Sequence, residues 1–222
     1  YGTKNMAKGP AMTREECVQA ILTGVDTVRD LKAEGYDLIV TGEMGIGNTT
    51  TSSACAAVLF DQAPEVVTGR GAGLSTAGLN KKVRAIERAI EVNHPDKTDA
   101  IDVISKVGGL DIAGMVGCYL GAAYYHLPIL IDGFISAISA YLAGMLSKTA
   151  KEYMIPTHGS AEPAAKLAME HLGMQAPIQA GMHLGEGTGA IMGLSLIDQG
   201  LNVYYHVATW DGAHVEAYTH QK

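Results

Sequence analysis

Four carboxylates sit in short loops where the local sequence gives them no apolar face to serve. They are Glu43 in GEMGIGNTT (Gly42–Thr50), Asp132 in IDGF (Ile131–Phe134), Glu162 in SAEP (Ser160–Pro163) and Glu186 in LGEGTGA (Leu184–Ala190). A carboxylate pinned between glycines is free to approach a ligand with backbone N–H donors around it. Glu186 is the best-placed general base. Enclosure that raised its pKa would let it take a proton near neutrality, a step worth ~10²–10⁴-fold in rate. The competing reading is a helix-start carboxylate that serves only the helix dipole. A further loop, GRGAG (Gly69–Gly73), carries no carboxylate. Like the others it lacks the Cβ atoms that would hold a phosphate away, and the helix N-terminus after such a loop favours an anion by about 0.3–1 kcal/mol.

The common alternatives fit poorly. No lysine lies between Lys32 and Lys81, which removes a Walker A motif, and Gly45-x-Gly47 leads to Thr50 where a dinucleotide fingerprint wants Gly or Ala. Ser160 is outside any G-x-S-x-G frame, so a hydroxyl donor to phosphate is favoured over a nucleophile. The eight histidines, among them His183, His206, His214 and His220, make no H-E-x-x-H and no paired Cys/His spacing, so no metal is assigned. Lys81, Lys82, Arg84 and Arg88 share a predicted helix, as a solvated face from which one cation could reach a phosphate.

These loops need strands and helices to aim them. TREE (Thr13–Glu16) reads as a capping box that starts a helix, with Val18, Ile21, Leu22, Val25, Val28 and Leu31 on its apolar face and a stop at Gly35. YDLIVT (Tyr36–Thr41) is β-prone and runs into the first glycine loop and then a helix to about Leu59. Val66–Thr68, Pro128–Ile131 and Tyr153–Pro156 read as further strands, the last two running into loops at Asp132–Phe134 and Thr157–Pro163. Helices are expected over Leu79–Ile90, Ser136–Leu146 and Pro163–Leu172, two more within 99–125 broken at Gly108–Gly109, and one or two over Gly187–Tyr205 interrupted at Gly200. Alternating strands and helices imply right-handed crossovers and a mainly parallel, Rossmann-like α/β sheet flanked by helices, in a single domain over 1–222. Ligands of such sheets bind beyond the carboxyl ends of the strands.

Composition sets limits on the partners. The chain holds 222 residues, 47% of them hydrophobic, with 27 glycines and only 6% aromatics. Glycine is thus well above its usual ~7%. A net charge of −7 and the lack of a basic run argue against nucleic acid. No apolar run reaches the ~18 residues of a membrane span. Cys17, Cys55 and Cys118 lack C-x-x-C spacing, which fits buried thiols in a reducing, cytoplasmic setting.

The five motifs, with the opening GTKNMAKGPAMT (Gly2–Thr13), occur in the order of one family. They resemble nicotinate-nucleotide:dimethylbenzimidazole phosphoribosyltransferase, which builds the lower nucleotide loop of cobalamin. The resemblance implies transfer of phosphoribose from nicotinate mononucleotide to 5,6-dimethylbenzimidazole or a related base, without a cofactor, giving α-ribazole phosphate and nicotinate with inversion. By the same match Glu186 is the general base and Glu43 an active-site carboxylate near the ribose or base. Met44 and Leu184 wall the pocket, Gly45, Gly71 and Ser160 contact phosphate, Lys82 is a phosphate ligand, and Asp132 falls in the site near the sugar. The leaving pyridinium departs as a neutral ring nitrogen and needs neither general acid nor metal. The family often has Arg where this chain has His183. Its members also carry a substantial segment before the Gly2–Thr13 motif, so the chain is expected to lack N-terminal elements. A homodimer is implied, and a non-catalytic nucleotide-binding or partner subunit is the alternative.

Overall fold

The computed structural model describes residues 2–216 and 219. Helix α1 (Arg14–Ala33) begins at the expected capping box: the Glu16 N–H donates to Thr13 Oγ1 at 3.1 Å, and the Thr13 N–H to the Glu16 carboxylate at 2.7 Å. Its buried stripe is Cys17, Ile21, Gly24 and Val28, while Val18 and Leu22 of the expected apolar face are exposed. Glycine explains the shift. Helix α6 (Leu110–Tyr124) lies on α1 backbone to backbone, and a Cβ at Gly24 would fall 2.0 Å from the Gly114 carbonyl oxygen, one at Gly117 1.9 Å from that of Ile21. Gly117→Ala should therefore destabilise the protein by about 2–3 kcal/mol in urea melts, despite the better helix propensity of alanine.

Strands β1 (Ile39–Val40), β2 (Ile129–Ile131) and β3 (Met154–Pro156) form a parallel sheet in the order β1-β2-β3, with Ile39 opposite Ile129 and Ile129 opposite Met154. Ile129, Leu130 and Ile131 are buried at its centre. After β3 the chain turns at Thr157 into a second parallel pair, β4 (His158–Ser160) with β5 (Ile178–Met182). Part of the loop expected over Thr157–Pro163 is thus a strand. Thr157 joins the sheets: its hydroxyl donates to the Ile131 carbonyl at 2.6 Å, and its own carbonyl accepts the Ile178 N–H at 3.2 Å.

Helices α2 (Asn48–Leu59), α4 (Thr76–Asn93), α5 (Ala100–Val107), α7 (Phe134–Leu146), α8 (Pro163–Leu172) and α9 (Thr188–His206) complete the layers. The expected break at Gly108–Gly109 separates α5 from α6. Two expectations are corrected. Val66–Thr68 is no strand: α3 (Pro64–Val67) is a short helical turn, because Pro64 at its first position presets the helical φ. Gly200 does not interrupt α9, since one glycine costs a helix only about 1 kcal/mol. Cys17 and Cys55 are buried free thiols, and burial pushes the Cys17 thiol up to about 12. Among the described residues no helix is long and apolar enough to cross a membrane.

Candidate active site

The loops that follow β1 and β2 meet the loop that follows β5. Gly185, Glu186 and Gly187 all take left-handed backbone, with φ of +78°, +58° and +79°. Glycine adopts this freely, but for Glu186 it costs about 1–2 kcal/mol. The Glu186 N–H donates to the Glu43 carbonyl at 3.0 Å. Asp132, at the end of β2, accepts the Gly187 N–H on Oδ2 at 3.1 Å and those of Gly189 and Ala190 on Oδ1 at 3.0 and 3.2 Å. Hydrogen bonds to charged groups contribute about 1.5–3 kcal/mol each, so this set outweighs the strain. Asp132 is only 3% exposed. Asp132 lines the cavity, and both of its oxygens accept amides that start α9.

The β1 loop touches the same turn. A Cβ at Gly42 would lie 2.4 Å from the Gly187 nitrogen, and one at Gly185 2.7 Å from the Glu43 carbonyl oxygen. No side chain fits at either position, which brings the Glu43 and Glu186 loops into backbone contact.

The opposite wall is built for charge. Lys82 on α4 is buried, and its Nζ donates to Thr49 Oγ1 at 2.9 Å and to the Gly69 carbonyl at 3.0 Å. A Cβ at Gly71 would come 2.7 Å from Thr49 Oγ1 and 3.7 Å from Lys82 Nζ. Burial lowers the Lys82 pKa, and the nearby Glu162 carboxylate works against that. The lysine is not part of the solvated face its neighbours form. It makes no salt bridge among the described residues and donates only to neutral oxygens, with the Glu162 carboxylate acting on it from longer range, so an anionic phosphate would add a direct counter-charge.

These walls enclose one cavity of about 840 Å³, lined by Glu43, Met44, Gly45, Gly71, Asp132, Ser160, Leu184 and Glu186, with Lys82 beneath Gly71. The structure therefore gathers residues that the sequence separates by more than 140 positions. Glu162 lines the cavity too, with one carboxylate oxygen buried and unpartnered, and the Ser160 hydroxyl accepts the Glu162 N–H at 3.3 Å. Met44 and Leu184 are largely exposed, at 59% and 64%, and Glu186 is exposed. The enclosure expected around Glu186 is not supplied by the described residues. His183 lines the cavity from an exposed position; His206 and His214 are exposed and outside its lining, and His220 lies outside the described residues. Sequence reasoning missed Thr49 as the partner of Lys82, although it stands in the first glycine loop. It also missed His158, a lone histidine in a strand that carries no signal.

Fold and cavity define a Rossmann-like α/β protein with its site at the carboxyl ends of parallel strands. Comparison with known proteins gives the family: the chain belongs to the DBI_PRT phosphoribosyltransferases, whose family model matches residues 1–215. It is 50% identical over 220 residues to the nicotinate-nucleotide–dimethylbenzimidazole phosphoribosyltransferase of Acetivibrio thermocellus, covering 99% of this chain and 63% of that protein. The protein of the same description from Clostridium acetobutylicum is 47% identical over 98% of this chain and 62% of its own length. Among solved structures, CobT from Thermus thermophilus superposes with a TM-score of 0.90 at 36% identity, over 97% of this chain and 64% of that one. The chain thus spans a little under two thirds of the relatives it matches.

Proposed function

We propose that this chain carries the catalytic site for phosphoribosyl transfer from nicotinate mononucleotide to 5,6-dimethylbenzimidazole or a related base. The observation that carries the reading is one cavity with a buried lysine that makes no salt bridge among the described residues under glycine loops on one side and a carboxylate on a strained turn at the other. Phosphate sits against Gly45, Gly71, Ser160 and Lys82. The lone pair of one benzimidazole nitrogen attacks the anomeric carbon as the bond to the pyridinium nitrogen breaks. That bonding pair stays on the leaving ring and neutralises it, while Glu186 takes the N–H proton of the incoming base. Glu43 is the second carboxylate, placed to favour positive charge developing at the sugar. The nearest walls at the acceptor end are Met44 and Leu184, and their exposure leaves room for a partner subunit in the homodimer proposed for this family. A reducing cytoplasm fits the free thiols.

The test is an assay of the purified chain with nicotinate mononucleotide and 5,6-dimethylbenzimidazole, following nicotinate and α-ribazole phosphate by chromatography and mass spectrometry. Both products should appear in equal amounts. Calorimetric binding of nicotinate mononucleotide with no product at all would replace this reading by that of a non-catalytic nucleotide-binding subunit.

A further inference from the structure

We infer that His158, which the chemistry above does not use, is a positioning residue: with Asp132 it clamps the start of α9 and so holds the left-handed turn that presents Glu186. The inference rests on Glu186 being the base. The His158 side chain is 1% exposed, and its ring fills the space left by the missing side chain of Gly189, where a Cβ would lie 1.8 Å from Nδ1 and 2.2 Å from Cε1. Nδ1 lies 3.8 Å from Asp132 Oδ1 and 3.5 Å from Thr157 Oγ1. The Thr157 hydroxyl proton is already given to the Ile131 carbonyl. Both neighbours of Nδ1 therefore present acceptor oxygens, an arrangement that favours the tautomer with its proton on Nδ1. Burial holds the His158 pKa below its ordinary value, against the pull of Asp132, in keeping with a neutral ring.

Ring and carboxylate bracket the first turn of α9 from two sides. Oδ1 of Asp132 holds the Gly189 and Ala190 amides, and Oδ2 of the same rigid group holds the Gly187 amide next to Glu186. A shift of the ring at Gly189 or of Oδ1 is passed through that carboxylate to the turn itself. His158 also lines the cavity, so direct contact with ligand is the competing role.

The test compares Asp132→Asn, His158→Ala, Gly189→Ala and the double variant Gly189→Ala/His158→Ala by amide hydrogen exchange, calorimetry and turnover. Each single variant should speed exchange at Gly187–Ala190 about tenfold or more, with exchange elsewhere unchanged. Each should lower kcat by about 10–100-fold, the scale of a small misplacement of a reacting group, with the Kd for nicotinate mononucleotide unchanged. The double variant should sit at the His158→Ala level, because removing the ring removes the clash. In a Glu186→Gln background Asp132→Asn should lower kcat no further. Unchanged exchange at Gly187–Ala190 in the Asp132 and His158 variants overturns the clamp, as do losses that multiply with Glu186→Gln or a Kd that rises in step. Lack of turnover in the unmodified chain would instead refute the phosphoribosyl-transfer reading, and the exchange measurements would still decide the clamp.

Discussion

Replacing Glu186 with glutamine should cut turnover by ~10²–10⁴-fold while leaving the affinity for nicotinate mononucleotide nearly intact. Glutamine keeps the size of the side chain, and position 186 keeps its backbone hydrogen bond to Glu43 and the engagement of the neighbouring amides by Asp132. What is lost is the capacity proposed for it, to accept the proton released by the incoming base. The donor nucleotide does not depend on that capacity, since its phosphate is proposed to bind at Gly45, Gly71 and Lys82. Steady-state kinetics and calorimetry on the same preparation separate the two quantities. Turnover equal to that of the unmodified chain would remove Glu186 from the mechanism.

The second large effect is expected at Lys82. Lys82→Met should weaken binding of nicotinate mononucleotide, and of inorganic phosphate, by about 10–150-fold, the equivalent of one charge-assisted hydrogen bond of about 1.5–3 kcal/mol. The pH dependence gives an independent check. Burial lowers the Lys82 pKa, so in the ligand-free protein the ammonium loses its proton at a lower pH than the ordinary 10.5. Phosphate affinity should therefore fall as pH rises through that lowered value, earlier than an exposed lysine would produce, and the methionine variant should lack the inflection. Stability moves the opposite way. Between the lowered folded value and the ordinary one the unfolded chain holds a proton the folded chain has shed, so the stability of the free protein rises with pH there and is independent of Lys82 below it. Calorimetry across alkaline pH reads the first effect and melting across the same range the second. A phosphate affinity equal in the two proteins would place the anion elsewhere.

Much of the candidate cavity was legible in the residues because it is built on glycine and carboxylate, whose local meaning is strong. Gly42, Gly45, Gly71, Gly185 and Gly187 mark close approaches or left-handed backbone directly, and Glu43 and Glu186 stand out between them. The helices were legible where a cap or a breaker marked them, as at Thr13 and at Gly108–Gly109. The limits have the same origin. β5 (Ile178–Met182) holds Ala180 and a left-handed Gly181 and is largely exposed, so it shows neither a run of branched residues nor a buried alternation. The strand that follows Thr157 depends on a side chain standing in for a backbone donor, which no spacing rule reports. Asp132 looked like free chemistry because its three amide donors lie 55 or more positions away. Burial of Lys82 was hidden for a similar reason: its partners come from two other elements, while its own helix reads as a charged face.

The left-handed turn also bears on how this protein could be improved or damaged. Glycine or asparagine at 186 would relax the backbone there, so a screen scoring only resistance to heat would favour such replacements. On the proposed mechanism the sturdier proteins it selected would be inert. With Glu186 as the proposed base, position 186 is where folding and reactivity pull in opposite directions, and thermal robustness gained there would be a warning sign.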